Sequence, residues 1–88
     1  GDRIEVSGPL TLEKAREMLE AGSALIQRPE TVFDLSRVTE VDSSGLTVVF
    51  AWVRAAKTQG KTARISNPPQ NLLSLAELYG VTELLPLA

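Results

Sequence analysis

Eighty-eight residues are enough for one compact domain and too few for two. With 43% hydrophobic and 23% charged residues and a formal charge of -2, the composition is that of an ordinary globular domain, and it points neither to nucleic acid nor to direct membrane insertion. The chain has no Cys and no His, which excludes disulfides, thiolate nucleophiles, zinc sites of the Cys/His kind and Ser-His or Cys-His catalytic pairs, so neither a metal nor a cofactor is implied.

Short strands alternate with helices, an α/β pattern. Ile4 and Val6 share one face of a first strand over residues 3–6, which ends at the turn cluster Ser7-Gly8-Pro9. A helix is expected from Thr11, with Leu12, Ala15, Leu19 and Ile26 on its inner face and Glu13, Arg16, Glu17 and Glu20 outside. Thr31 to Leu35 reads as a continuously buried strand at the centre of the sheet. The strongest helix is expected over residues 46–58, stopping at Gly60 after Lys57. A short strand over residues 62–66 carries Arg64 and is placed near an edge. Asn67-Pro68-Pro69 opens a last helix, closed by Gly80, with Leu72, Leu75, Ala76 and Tyr79 as its buried stripe. Crossovers between such strands are right-handed and the strands largely parallel. The chain starts at Gly1 without Met, so a preceding strand is expected to be missing; its antiparallel pairing with the first strand would make the sheet mixed. Helices are expected to concentrate on one face.

One segment stands out, Asp34-Leu35-Ser36 through Val41-Asp42-Ser43-Ser44-Gly45-Leu46, running from the central strand to the second helix. Read by itself, Asp42 or Ser43 caps that helix, whose free amides and positive dipole end favour an anion. The segment resembles the signature of STAS domains, and Gly8-Pro9-Leu10-Thr11 and Leu75-Ala76-Glu77-Leu78-Tyr79-Gly80-Val81 fall in the same order as in that family. The resemblance implies a single STAS-like domain over residues 1–88 that works by docking onto a partner and is not an enzyme. It implies that Ser43 is the partner-binding or phosphoacceptor residue, supported by Asp42, Ser44 and Gly45 at the helix N-terminus. Within the family the chain looks most like MlaB-type subunits, which bind the cytoplasmic ATPase subunit of an ABC transporter for phospholipids. That resemblance implies a cytoplasmic location, peripheral to the inner membrane. The alternative is an anti-sigma factor antagonist, switched when a partner serine kinase (the anti-sigma factor) phosphorylates Ser43; Thr47 departs from the small residue many antagonists carry there.

The second helix adds a docking expectation of its own. Leu46, Val49, Phe50 and Val53 form one apolar face, while Val48, Trp52 and Ala55 lie on the other, so the helix must be covered twice. Val48 and Trp52 are therefore expected to be exposed as a partner anchor rather than covered by a neighbouring helix, and an exposed Trp52 would serve a homodimer as readily as an ATPase. Arg54, Lys57, Lys61 and Arg64 make a basic cluster that reads first as a solvated face.

Overall fold

In the computed structural model, which describes residues 2–88, the elements follow as β1 (Asp2–Leu10), α1 (Ala15–Ala24), β2 (Glu30–Val41), α2 (Ser43–Thr58), β3 (Thr62–Ser66), α3 (Gln70–Leu78) and a single 3-10 turn (Thr82–Leu84). The sheet order is β1-β2-β3, with β2 at the centre as expected. Both strand pairs are parallel, so no antiparallel member is found among the described strands.

The side chains of Val6, Leu10, Thr31, Phe33, Leu35, Ala63 and Ile65 are buried together with those of α2 and α3. On the opposite sheet face the register aligns Arg3 with Val32 and Arg64, then Glu5 with Asp34 and Ser66. The helices thus crowd one face and leave the other polar. This corrects the reading of β2 as buried on both sides: Thr31, Phe33 and Leu35 are buried while Val32 and Asp34 are only half-buried. A sheet covered on one face restores the two-residue alternation.

The polar face closes on itself. Asp34 accepts from Arg3 at 3.2 Å, from the Ser36 amide at 3.0 Å and from the side-chain amide of Asn67 at 3.0 Å, while Arg3 also reaches the Ser66 hydroxyl at 3.1 Å. Asn67 can turn its amide inward because its backbone sits at φ 51, a left-handed conformation that asparagine tolerates better than most residues. Arg37 pairs with Glu5 at 3.3 Å. The carboxyl of Asp34 is held well below the usual carboxylate range, first by Asn67, then by the Ser36 amide, with Arg3 adding to them.

Several boundaries moved, among them β2, which runs on to Val41, and α2, which begins at Ser43. α1 starts at Ala15, without a side-chain cap, so Thr11 is not its N-cap and Leu12 stands 75% exposed ahead of it. β1 runs on through Ser7-Gly8-Pro9, accommodating the cluster with register shifts against β2 and a positive φ at Gly8. The outer edge of β3 is bridged by the tail, where the Ile65 amide donates to the Pro86 carbonyl and the Ala88 amide to the Ile65 carbonyl.

The centre of the core is Trp52. Its ring stacks on Phe33 with centroids 4.2 Å apart and planes 11° from parallel, and its indole N–H donates to the Met18 carbonyl of α1 at 3.2 Å. Gly22 makes this possible, since a Cβ there would overlap the indole nitrogen of Trp52. Helix propensity alone says Gly22→Ala stabilises by about 1 kcal/mol. The packing says the reverse, and urea denaturation followed by Trp52 emission should show a loss of about 1–3 kcal/mol; a gain would refute the tight contact. The Asp34 network has its own signature. A carboxylate whose pKa is lower in the folded state gives stability that is complete above its unfolded value of about 3.9 and is lost as pH falls toward the folded one. Stability should hold from about pH 7 to about pH 5 and decline below about pH 4, less steeply in Asp34→Asn; equal slopes would show that the network does not form.

Candidate functional site

β2 ends at Val41, and Asp42 turns the chain into α2. Its backbone is extended and its Oδ1 accepts from the Ser44 amide at 2.8 Å, an N-cap of the expected kind. The other oxygen, Oδ2, accepts from the Leu12 amide at 3.0 Å, and the Asp42 amide donates to the Leu10 carbonyl at 3.3 Å. One side chain therefore ties the start of α2 to the end of β1. These bonds, that to Leu12 foremost, hold the Asp42 carboxyl below its ordinary value. Gly45 sits in the same clamp: a Cβ would come within 2.9 Å of the Leu10 carbonyl oxygen and of Val41 Cγ1, so the helix can approach β1 this closely only without a side chain there.

Ser43 differs from its neighbours. Asp42 and Ser44 are half-buried and Gly45 is buried, but Ser43 is exposed, and among the described residues its hydroxyl makes no side-chain hydrogen bond. It stands between two open depressions. One, of about 330 Å³, is lined by Ser44, Leu46, Thr47, Phe50, Tyr79 and Val81 beside it. The other, of about 420 Å³, is lined by Val41, Asp42, Asn71, Ser74, Leu75 and Tyr79. Ser43 and Tyr79 border both. The surface offers a hydroxyl, an aromatic ring and apolar flanks, and it brings together no acid, base and nucleophile in a catalytic arrangement.

The expectation of an exposed Val48 and Trp52 is overturned. They are 2% and 1% exposed, because they share one buried stripe with Gly45, Val49 and Ala56: the Trp52 ring lies on Phe33 of the sheet, and α1 closes over its edge at Met18 and Gly22. The apolar residue of α2 that reaches the surface beside Ser43 is instead Phe50, half-buried at the rim of the first depression. Tyr79, placed in the core stripe by spacing, is 57% exposed. The 3.6-residue extrapolation from Leu72 and Ala76 fails there because α3 ends at Leu78 and Tyr79 is already its C-cap.

Residues 1–86 match the family described as "Mlab, STAS domain". The chain is 30% identical over 81 residues to the intermembrane phospholipid transport system binding proteins MlaB of Escherichia coli (strain K12) and Shigella flexneri, covering 92% of this chain and 82% of each relative. Among solved structures, the anti-sigma factor antagonist SpoIIAA in its unphosphorylated form superposes with a TM-score of 0.72 at 18% identity, over 98% of this chain and 77% of that one. A sulfate transporter family protein from Wolinella succinogenes gives 0.71 at 19% identity, over 96% and 70% of the two chains. At these identities the structures speak for a shared fold alone. With a match that spans almost every residue, including the Asp42-to-Gly45 clamp that presents Ser43, the chain belongs to the MlaB-type STAS domain family.

Proposed function

We propose that this chain is a non-catalytic STAS subunit that docks onto the cytoplasmic ATPase of a phospholipid-transport ABC system and regulates it. The observation that carries the reading is the exposed, unpartnered Ser43 hydroxyl between two depressions that share Tyr79. Its neighbours are committed to holding the helix, so Ser43 can change partners without disturbing the fold. An aromatic ring beside apolar flanks is the composition found at interface hot spots. The relatives, intermembrane phospholipid transport system binding proteins, point to the transport system. A location on the cytoplasmic side of the inner membrane follows from the same reading; among the described residues no helix is long and apolar enough to cross a membrane.

A second reading rests on the same hydroxyl. At the first position of α2 a phosphate on Ser43 would meet the positive end of the helix dipole and would add roughly -1.5 to -2 charges to the docking surface. That would make the chain an anti-sigma factor antagonist released or captured by a partner kinase.

Affinity capture on the immobilised domain, with bound proteins identified by mass spectrometry, separates the two. The transporter reading expects an ABC ATPase, with Ser43→Asp and Tyr79→Ala each weakening its retention about tenfold or more. Retention of a serine kinase that phosphorylates the domain, and not Ser43→Ala, would replace it with the switch. An ATPase retained equally by all variants would place the interface elsewhere.

Asp42→Ala distinguishes support from contact. Loss of the cap and of the tie to Leu12 should lower unfolding stability by about 0.5–2 kcal/mol. In conditions where the variant is folded, partner affinity should fall less than in Tyr79→Ala; a larger loss would make Asp42 part of the contact itself.

A further inference from the structure

The opposite end of α2, roughly 20 Å along the helix from Ser43, carries a second surface. Between the last turns of α2, the start of β3 and the C-terminal tail lies a depression of about 190 Å³, with Val53, Ala63 and Pro86 as its floor and Lys57, Lys61 and Arg64 on its rim. The floor residues are buried or half-buried, while Lys57 and Arg64 are exposed.

The rim charges are poorly compensated. Lys57 and Lys61 have no carboxylate partner among the described residues. Lys61 is pinned in place by the Ile26 carbonyl at 3.4 Å and the Gln59 side chain at 3.2 Å, neutral acceptors that fix its position and leave its charge standing. Arg64 has only Glu30, at 3.8 Å and with both side chains about half-exposed. The Thr62 amide donates to the Pro29 carbonyl, which brings neighbouring Arg28 to the same end of the molecule. A chain of formal charge -2 thus sets several weakly compensated cations side by side at this end, where they attract and orient an anionic partner.

We propose that this depression receives an acidic peptide segment bearing an apolar side chain, contributed by a partner protein. Charge complementarity specifies the acidic flanks, and the recessed floor specifies the apolar anchor. A bilayer surface fits less well, because membrane-binding faces project their apolar groups beyond the charges, whereas here Val53, Ala63 and Pro86 lie behind them. The inference is independent of the docking role proposed for Ser43.

Fluorescence anisotropy with a labelled peptide of Glu and Asp residues around one central Leu tests it. Saturable binding is expected, weakened about tenfold or more by the double change Lys57→Glu and Arg64→Glu and several-fold by raising salt from about 50 to about 200 mM. A probe with Ser in place of its Leu should bind several-fold more weakly, and Val53→Ser should abolish that difference. Emission from Trp52, the single tryptophan, verifies that each variant is folded. Absence of saturable binding, indifference to the charge reversal, equal affinity for the Ser probe, or tighter binding to phosphatidylglycerol vesicles than to the peptide would each overturn the proposal.

Discussion

Everything in this fold is arranged around the indole of Trp52. Its face lies on Phe33 of β2, its N–H is bonded to the Met18 carbonyl of α1, and Gly22 supplies the space in which the two helices meet. Three elements distant in sequence converge on one side chain. Truncating a buried tryptophan typically costs about 3–5 kcal/mol, while a whole domain is stable by about 5–15 kcal/mol, and a chain this short sits toward the marginal end because it buries a smaller share of its surface. The contact therefore accounts for a large part of the margin on which the rest depends.

A helix pinned at its middle can still pivot, and the second constraint removes that freedom. Asp42 uses both carboxylate oxygens, one on the Ser44 amide of α2 and one on the Leu12 amide beyond β1, and Gly45 lets the helix close onto the Leu10 carbonyl. With Trp52 and the Asp42 clamp both in place, the direction of α2 is set, and so is the direction in which Ser43 leaves it. The clamp thus gives this exposed residue a fixed position on an otherwise small and mobile kind of surface group. The side chains around Ser43 supply rigidity, and the Ser43 hydroxyl itself is left without an internal side-chain partner.

Much of this was legible in the sequence. The capping of α2 by Asp42 or Ser43 and the central place of β2 follow from residue types at fixed offsets, where local hydrogen bonding and sterics leave few alternatives, while Ser43 was singled out only by the resemblance to STAS domains. What failed was the assignment of faces. Periodicity says that α2 is apolar on two sides, but it contains nothing about which of them turns to the sheet or where α1 comes to rest; Val48 and Trp52 lie in the stripe with Val49 and Ala56, and the Trp52 ring is held between Phe33 of β2 and α1. Tyr79 failed in the opposite sense, since a stripe extrapolated by 3.6 residues ignores the point at which the helix stops. The alternation in β2 was masked by Val32, an apolar residue that the polar sheet face accommodates between Arg3 and Arg64. In each case the missing information was tertiary.

The two faces of the sheet explain why partner contacts are sought on the helices. Across the outer face the charges are largely matched within the chain: Asp34 by Arg3, Ser36 and Asn67, and Glu5 by Arg37. A partner docking there would have to break these pairs and desolvate them, with little apolar area gained in return. At the ends of α2 the balance is reversed. Its N-terminus presents a hydroxyl with no internal partner beside Phe50 and Tyr79, and its C-terminus presents lysines with no internal counter-charge above Val53 and Ala63. Groups left unmatched inside the chain cost little to match from outside, and α2 carries such groups at both of its ends.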